Sequence, residues 1–260
     1  MAIQVIYNPK GGVGKTTTAL NLATISAKHC KTLYIDLDAN RSGTLLSGAT
    51  TLPDYDENKT SSLMFCDEPQ KPSELAIQTA HGFDIVPAGH DMPNAETWLS
   101  TAVGGLMHLA FLFDEDSGLE SYERIFLDCA GWAGSINNSA LFASENVLIP
   151  LEPSQASADQ LSPILKTLNT VRKFQHQCAR EALSILGFFF VKMDVRTNAS
   201  RKVIESVLEN ETVANCLVDI AIPRSTNAED AGIARCPVVE YMPNSNVAEA
   251  YVELFNSLYK

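Results

Sequence analysis

Three glycines and two lysines lie close together in one short segment near the start of the chain. The segment reads Lys10-Gly11-Gly12-Val13-Gly14-Lys15-Thr16-Thr17. Glycines let a backbone turn tightly and point successive N–H groups at an anion, with no Cβ in the way. A lysine and a hydroxyl that follow such a loop can neutralise phosphate oxygens and complete the shell of a magnesium ion. The segment therefore predicts a phosphate-binding loop, with Lys15 on the β and γ oxygens and Thr16 on magnesium.

Carboxylates in two other segments could complete such a site. Asp36 and Asp38 are spaced one residue apart, so in an extended chain both side chains point to the same side. Asp128 ends the apolar run of residues 125–127, an arrangement that holds the water shell of magnesium in phosphoryl-transfer enzymes. Strands that end in acids are common, so either pattern alone would favour an ordinary solvated or buried acid. Their weight comes from the phosphate loop that accompanies them.

Alternating short strands and longer helices must position these groups. Runs of β-branched or aromatic residues predict strands at residues 3–7, 32–36, 83–86, 124–128, 146–150, 183–191 and 216–222. Helical patterns cover residues 15–28, 94–113, 156–172, 199–209 and 245–258.

Strands separated by helices indicate an α/β fold with a doubly wound, mostly parallel sheet and helices on both faces. We find no Gly-, Ser- or Pro-rich linker and no repeat, so we expect a single domain over residues 1–260. Residues 52–72, rich in Asp, Glu, Pro and Asn, are expected to form a surface excursion. Apolar residues at helical spacing predict that the last helix docks on the core. Ligands of such sheets bind at the carboxyl ends of the strands, where the motifs lie.

The composition, 45% hydrophobic and 19% charged, is that of a globular protein. Six cysteines occur without a C-x-x-C pair and no apolar signal segment precedes the first strand, so we expect a reducing cytoplasm. The longest apolar run, residues 185–191, is too short to span a bilayer, which argues against membrane insertion.

Charge is distributed unevenly along the chain, whose net charge is −12. All of the acidic excess lies in residues 1–165, which hold 8 Lys and Arg against 20 Asp and Glu. Residues 166–204, in contrast, hold 8 basic residues against 2 acidic ones. That stretch is consistent either with a basic face for nucleic acid or with an ordinary solvated helical surface.

The loop departs from the usual phosphate-loop pattern, which has a glycine where this chain has Pro9, and it carries a second lysine, Lys10. This variant resembles the loop of the ParA/MinD superfamily of deviant Walker A ATPases, and the resemblance covers nearly the whole chain. It is strongest with ParA-type partition ATPases that have no N-terminal helix-turn-helix domain. The resemblance implies binding of ATP and Mg2+ by residues 10–17. It also implies a sandwich homodimer in which Lys10 reaches the partner's nucleotide, where two facing tetraanions need extra cations.

The carboxylate motifs resemble the family in part. In the family's D-x-D-P-Q pattern the second acid positions the attacking water, so the resemblance makes Asp38 catalytic together with Lys10 and Lys15, and places Asp36 near magnesium with Asp128. Residues 39–41, Ala-Asn-Arg, replace the family's Pro-Gln-Gly. Residues 129–131, Cys-Ala-Gly, replace its Thr-Pro-Pro. We expect these departures to alter the movement of the two switch segments.

Two segments near the end of the sheet resemble the family's adenine and DNA contacts. The run of residues 187–197 is similar to a family strand whose methionine packs near the base, which makes Met193 a candidate. Pro223, in an Ile-Pro-Arg sequence, is a second candidate. For both, ordinary core or loop packing is an equal alternative. Partition relatives bind DNA without sequence preference through arginines and lysines in these regions, and the corresponding residues here are Arg196, Arg201, Lys202, Arg224 and Arg235.

The resemblance favours a weak, Mg-dependent ATPase for plasmid or chromosome partition or cargo positioning. ATP would drive a dimer that binds nonspecific DNA, and a ParB-like or other adaptor would stimulate hydrolysis. We expect a cytoplasmic, nucleoid-associated protein, since the chain stops at Lys260 without a MinD-type membrane tail. The main alternative is an ATPase that positions a conjugation or secretion complex without nucleoid binding. An iron–sulfur carrier would need paired cysteines, and a metabolic kinase would need a substrate pocket that we do not recognise.

Overall fold

A single mixed sheet forms the centre of the fold. The computed structural model describes residues 1–114, 118–193 and 198–259, without the side chains of residues 198–201. The strands are β1 (Ala2–Ile6), β2 (Thr32–Asp36), β3 (Ile77–Gln78), β4 (Asp84–Val86), β5 (Arg124–Asp128), β6 (Asn146–Leu151), β7 (Ser184–Met193) and β8 (Leu217–Pro223). Their order in the sheet is β3-β4-β2-β5-β1-β6-β7-β8. Neighbouring strands are parallel except β3 and β4, which confirms the predicted mostly parallel sheet.

Helices connect the strands on both sides. They are α1 (Lys15–Ala27), α2 (Ser42–Leu46), α3 (Pro72–Leu75), α4 (Met92–Thr101), α5 (His108–Asp114), α6 (Ser135–Ala143), α7 (Gln155–Gln177), α8 (Asn198–Leu208), α9 (Glu211–Cys216), α10 (Thr226–Ile233), α11 (Val238–Tyr241) and α12 (Asn246–Leu258). No helix in the described ranges combines the length and the apolar character that crossing a bilayer requires.

Alternation along the strands sends side chains to two separate cores. Val5 packs in a core with α4 to α9, whereas its neighbour Ile6 packs in a core with α1 and α10 to α12. Likewise, Ile35 of β2 packs in the first of these cores and its neighbour Tyr34 packs in the second. Successive residues of a strand point to opposite faces of the sheet. When both faces are covered, the sequence of each strand is therefore a continuous run of apolar residues. The predicted docking of the final helix is confirmed by the buried Leu254 and its neighbours in the second core.

Two expectations from the sequence are wrong. The helix predicted over residues 94–113 is divided into α4 and α5, because Gly104 adopts a left-handed φ of 78° and interrupts the helix between them. Residues 52–72 are only partly a surface excursion, since Thr60, Ser61 and Met64 are buried. The Ser61 hydroxyl donates to the carbonyl oxygen of Asp36 at 2.6 Å, so this segment packs beneath the end of β2.

The sheet brings three motifs to one edge. In the strand register Asp128 lies beside Ile6, the last residue of β1, and also beside Asp36, the last residue of β2. The phosphate loop follows β1 directly. The carboxyl ends of three adjacent strands therefore bring the loop and two buried acids together.

Candidate functional site

The glycine-rich segment forms the turn between β1 and α1. Gly12 and Gly14 have left-handed φ values of 72° and 81°, which strain any residue with a side chain. A Cβ on Gly11 or Gly12 would meet no atom within 4 Å, so the loop faces open space. Gly14 is the residue that precedes α1, and the first N–H groups of this 13-residue helix lie at the loop. A loop of this geometry at a helix N-terminus can present its N–H groups to a phosphate.

Lys15 projects from the first turn of α1 into the site. Its side chain is buried, and its Nζ donates to the carbonyl oxygen of Lys10 at 2.9 Å. Burial lowers the pKa of the Lys15 ammonium, while the carboxylate of Asp128 acts in the opposite direction. A cation held beneath an open loop of N–H groups can neutralise an incoming phosphate.

Lys10 is held by its own chain. Its Nζ lies 2.6 Å from Glu152 Oε2, 3.1 Å from Ser154 Oγ and 3.5 Å from Ser157 Oγ. The hydrogen bond from Lys10 lowers the pKa of the Glu152 carboxyl group. The resemblance assigns Lys10 to the nucleotide of a partner chain. In the single chain, however, the Lys10 ammonium is bound to Glu152 of its own chain. Glu152 is a residue that the sequence did not single out.

Asp36 is buried and its oxygens are occupied by donors. One oxygen, Oδ2, accepts from the Thr44 N–H at 2.7 Å and the Thr44 hydroxyl at 2.8 Å. The other accepts from the Asp38 N–H at 3.1 Å. Burial raises the pKa of Asp36 to about 6, and the hydrogen bonds to Thr44 and Asp38 limit that rise. Asp36 thus holds the start of the switch segment.

Asp128 has one oxygen with a partner and one without. The Tyr34 hydroxyl donates to Oδ2 at 2.7 Å. Among the described residues, Oδ1 is the buried side-chain oxygen or nitrogen that has no hydrogen-bond partner. Burial raises the pKa of Asp128 to about 7, chiefly through lost hydration and then through the charge of Asp36, while the Tyr34 hydroxyl, the Thr16 hydroxyl and the charge of Lys15 lower it. A free carboxylate oxygen beside a threonine hydroxyl fits a hard divalent cation such as Mg2+.

Tyr34 reaches Asp128 because of a glycine on α2. A Cβ at Gly43 would lie 2.1 Å from the Tyr34 hydroxyl oxygen. Tyr34 is fully buried in the core with α1. In the sequence Tyr34 is only one residue of a predicted strand, and no periodicity distinguishes it from its apolar neighbours.

The first switch segment, residues 38–41, is anchored at both ends. Asp38 is almost fully buried, and its Oδ1 accepts from the Asn40 N–H at 2.9 Å. Arg41 has a left-handed φ of 57°, in the region that favours the glycine of the family pattern. Its guanidinium donates to the Ala88 carbonyl at 3.1 Å and to the Tyr55 hydroxyl at 2.6 Å. These contacts offset the backbone strain, which is roughly 1–2 kcal/mol for a residue with a side chain.

The second switch segment, residues 129–131, packs directly against the phosphate loop. A Cβ on Gly131 would lie 2.8 Å from Gly11 Cα and 3.5 Å from Lys15 Nζ. Asn137, on α6, donates to the Trp132 carbonyl at 2.5 Å. A glycine in place of the family's second proline therefore permits a close approach between the two segments.

A cavity of about 280 Å³ opens beside the loop. It is lined by Gly14, Thr17, Glu152, Val191, Lys192, Ile222, Pro223, Arg224, Ser225, Ala228, Glu229 and Tyr251. Gly14, Thr17 and Pro223, three predicted nucleotide contacts, are in this set. Met193 is not, and its side chain packs instead against the core with α4 to α9. Val13, from the loop itself, is buried in the opposite core.

Lys192 is a third lysine at the loop, and no sequence motif had assigned it to the site. It has a left-handed φ of 53°, and its Nζ donates to the Gly12 carbonyl at 2.5 Å. Its charge also helps to lower the pKa of Glu152. Its position at the carboxyl end of β7 was the available signal, because that is where a parallel sheet binds ligands.

The DNA candidates do not all fall within the described structure. Arg196 and the side chain of Arg201 lie outside the described residues. Lys202 is exposed on α8 and Arg224 is exposed at the end of β8. Arg235 is exposed after α10, where its Nη1 donates to the Thr50 hydroxyl at 3.3 Å.

Comparison with known proteins agrees with this geometry. The AAA_31 family model, an AAA domain, matches residues 1–185. The chain is 28% identical over 253 residues to the sporulation initiation inhibitor protein Soj of Bacillus subtilis strain 168, covering 97% of this chain and 96% of Soj. It is 29% identical over 256 residues to the chromosome-partitioning ATPase Soj of Treponema pallidum strain Nichols, covering 96% and 94%.

Solved structures share the fold. Apo McdA from Cyanothece superposes with a TM-score of 0.83 at 20% identity, over 100% of both chains. Cobyrinic acid a,c-diamide synthase from Mycobacterium smegmatis, with bound ATP analog and magnesium, has a TM-score of 0.77 at 24% identity, over 99% of this chain and 94% of that one. At these identities the likeness establishes the architecture alone.

Proposed function

Because this chain belongs to the AAA_31 family and with it to the ParA/MinD group of P-loop ATPases, we propose that it is an ATP-driven dimerising switch for partition or cargo positioning. ATP with Mg2+ would bind on residues 10–17, and hydrolysis would be slow. The observation that carries the proposal is the unpartnered Asp128 Oδ1 beneath an open phosphate loop. A buried oxygen without a donor is costly, and a bound cation would remove that cost.

The residues of the chain would divide the chemistry among them. The loop N–H groups and Lys15 would hold the phosphate oxygens and stabilise charge that builds up on them. Thr16 and Asp128 would hold Mg2+, directly or through water, and the cation would supply Lewis-acid stabilisation of the phosphoryl group. Asp38 would orient the attacking water, since its carboxylate lies on the switch segment that follows β2. Pro223 and the cavity beside it would receive the base.

Dimerisation would depend on Lys10. In the single chain its ammonium is bound to Glu152 at 2.6 Å, so it must leave that carboxylate to reach a partner's nucleotide. The γ-phosphate would favour the dimer because it offers this lysine a more highly charged partner. Loss of the γ-phosphate would return Lys10 to Glu152, and an adaptor protein would accelerate that step.

In the cell the ATP-bound dimer would bind to DNA. The acidic net charge of −12 opposes DNA binding by one chain. A dimer would double the exposed basic residues Lys202, Arg224 and Arg235, which would suffice for weak, salt-sensitive contacts with phosphates. This would place the protein in the cytoplasm, on the nucleoid. The name of the Treponema relative, a chromosome-partitioning ATPase, supports this reading.

A second candidate function is positioning of a conjugation or secretion complex. The observation that favours it is the altered first switch, where Arg41 occupies a glycine-like conformation and is anchored to Tyr55 and Ala88. In this case the ATP dimer would bind a protein anchor and would not need DNA.

The decisive experiment measures binding to a random-sequence duplex at low salt with Mg-ATP, with Mg-ADP and without nucleotide, while light scattering follows the oligomeric state. We expect ATP-specific, salt-sensitive binding by a dimer. Asp38→Ala should accumulate as the ATP dimer, and Lys15→Ala should neither dimerise nor bind DNA. Lys202→Glu, at an exposed lysine outside the cavity, should weaken DNA binding and retain ATP binding.

The matched control is Lys28→Glu, a charge reversal on an exposed lysine at the far end of α1. It should leave DNA binding unchanged. An ATP dimer that ignores DNA would support the second candidate, and a protein that binds no nucleotide would overturn both.

A further inference from the structure

A histidine, a cysteine and a glutamate meet on the surface away from the phosphate loop. His81 lies in the turn between β3 and β4, Cys236 lies between α10 and α11, and Glu240 lies on α11. One ligand atom from each, an imidazole nitrogen, the thiol sulfur and a carboxylate oxygen, lies within 4.8 Å of the other two. The three residues come from parts of the chain about 155 residues apart in sequence, so the fold itself brings them together.

The histidine is held in place by its neighbours. Its side chain is only 10% exposed, and its ring stacks on Phe83 with centroids 6.1 Å apart and planes 24° from parallel. Its backbone N–H donates to the Thr79 hydroxyl at 3.2 Å. Nδ1 lies 2.6 Å from Glu240 Oε2. The imidazole therefore faces Glu240 through Nδ1.

The cysteine and the glutamate lie on a short segment that is fixed to the core. The Cys236 N–H donates to the Ala231 carbonyl at 3.0 Å, and Val239 donates its N–H to Asn21 Oδ1, on α1, at 3.0 Å. Pro237 and Val239, which lie between the two, are buried. Two side chains four residues apart thus project from a rigid corner toward the turn that carries His81. Positions fixed in this way favour a metal site over a chance meeting of flexible side chains.

The chemistry of the donor set is specific. A thiolate and an imidazole favour Zn2+ over Mg2+ or Ca2+, and a carboxylate is an accepted third ligand for zinc. The two anionic ligands would balance the charge of the ion. We propose that His81 Nδ1, Cys236 Sγ and a Glu240 oxygen bind one Zn2+ ion, with water as the fourth ligand.

Zinc binding would replace one set of contacts with another. The hydrogen bond between His81 and Glu240 would open, both side chains would turn their lone pairs to the ion, and the Cys236 thiol would lose its proton to solvent. The ion would tie the β3–β4 turn, at the edge of the sheet, to α11. None of the three residues lies in the phosphate loop, in either switch segment or in the cavity beside the loop, so zinc binding and nucleotide binding are separable.

The test uses the full-length, tag-free protein after removal of metal by a chelator. Cobalt is added as a spectroscopic stand-in for zinc, and bound zinc is counted by elemental analysis. We expect one equivalent of zinc and, with Co2+, a thiolate-to-cobalt charge-transfer band. Cys236→Ser should abolish the band and weaken zinc binding by about 100-fold or more, because it removes a direct ligand. His81→Gln should also lose zinc.

The control variant is Cys216→Ser, since Cys216 is also a partly buried free cysteine. It should retain both the band and the stoichiometry. Zinc should raise the melting temperature of the wild type and leave that of Cys236→Ser unchanged, with ATP affinity equal in the two proteins. Two results would each overturn the proposal: a cobalt complex without a thiolate band, or full zinc binding by Cys236→Ser. In either case His81 and Glu240 would form only a contact with each other. Loss of ATP binding by the wild type would instead count against the proposed ATPase.

Discussion

Lys10 and Glu152 form an ion pair within one chain, with 2.6 Å between Nζ and Oε2. The hydroxyl groups of Ser154 and Ser157 add further acceptors around the same ammonium. One ammonium cannot satisfy this cluster and a nucleotide on a second chain at the same time. The monomer and the proposed dimer therefore compete for Lys10.

Removal of this competition should favour the dimer. The two side chains are 24% and 29% exposed, so the ion pair contributes only about 0–1 kcal/mol. Glu152→Gln should accordingly strengthen ATP-dependent dimerisation by at most about fivefold. Analytical ultracentrifugation with Mg-ATP measures this. Glu123→Gln, at an exposed residue before β5, is the control that should change nothing. Weaker dimerisation of Glu152→Gln would show that this carboxylate acts in the dimer itself.

Gly131→Ala should disturb the phosphate loop. The new methyl group would lie 2.8 Å from Gly11 Cα, which is closer than real Cβ atoms approach a backbone. One of the two segments must shift, so we expect ATP affinity to fall by about tenfold or more, the equivalent of a 1.4 kcal/mol loss. Titration calorimetry gives the affinity directly. Gly232→Ala, on α10, meets only the flexible end of Leu46 at 3.3 Å and should bind ATP normally. Equal affinities in the two variants would contradict the prediction.

Tyr34→Phe should remove the hydroxyl group that donates to Asp128 Oδ2 in the free protein. An unsatisfied buried acceptor costs about 1–3 kcal/mol, so the free energy of unfolding should fall by this amount. The Mg2+ concentration that half-saturates nucleotide binding should change as well. Tyr122→Phe is a matched control, because its hydroxyl donates to Asp84 at the same distance of 2.7 Å. It should lose stability without any change in the Mg2+ dependence. An unchanged Mg2+ dependence in both variants would separate Tyr34 from the metal site.

The nucleotide-free protein should become less stable as the pH rises from about 4 to about 7. Burial raises the pKa of Asp36 to about 6 and that of Asp128 to about 7, both above the ordinary value of 3.8. In that window the folded state binds more protons than the unfolded state, so the free energy of unfolding falls with pH. Each unit of pKa shift corresponds to about 1.4 kcal/mol at most.

Thermal unfolding across this pH range tests the prediction. Asp128→Asn should flatten the pH profile, since the amide does not titrate. Asp54→Asn, at an exposed acid, should retain the wild-type slope. A wild-type profile that rises with pH over this window would contradict the assignment.

The sequence predicted the parts of the site that lie within one segment. The phosphate loop, the seven longer strands and the position of Asp128 at a strand end follow from local composition, because turns and strand ends depend on residues near in sequence. Contacts across the fold could not be predicted in this way. Glu152 meets Lys10 only because β6 lies beside β1. Tyr34 looks like any other strand residue until the pairing of β2 with β5 brings its hydroxyl group to Asp128. Gly104 was a local signal for the break in the helix predicted over residues 94–113, and the prediction missed it.

The contact between Tyr34 and Gly43 also has an evolutionary consequence. With tyrosine at position 34, an alanine at position 43 would place a carbon 2.1 Å from the hydroxyl oxygen. This chain therefore cannot accept alanine at position 43. With leucine or valine at position 34, the same alanine meets no hydroxyl. In a lineage that changes both positions, the side chain at 34 must shrink before the one at 43 can grow. Homologues should therefore show the two positions varying together, with tyrosine at the first only where the second is glycine.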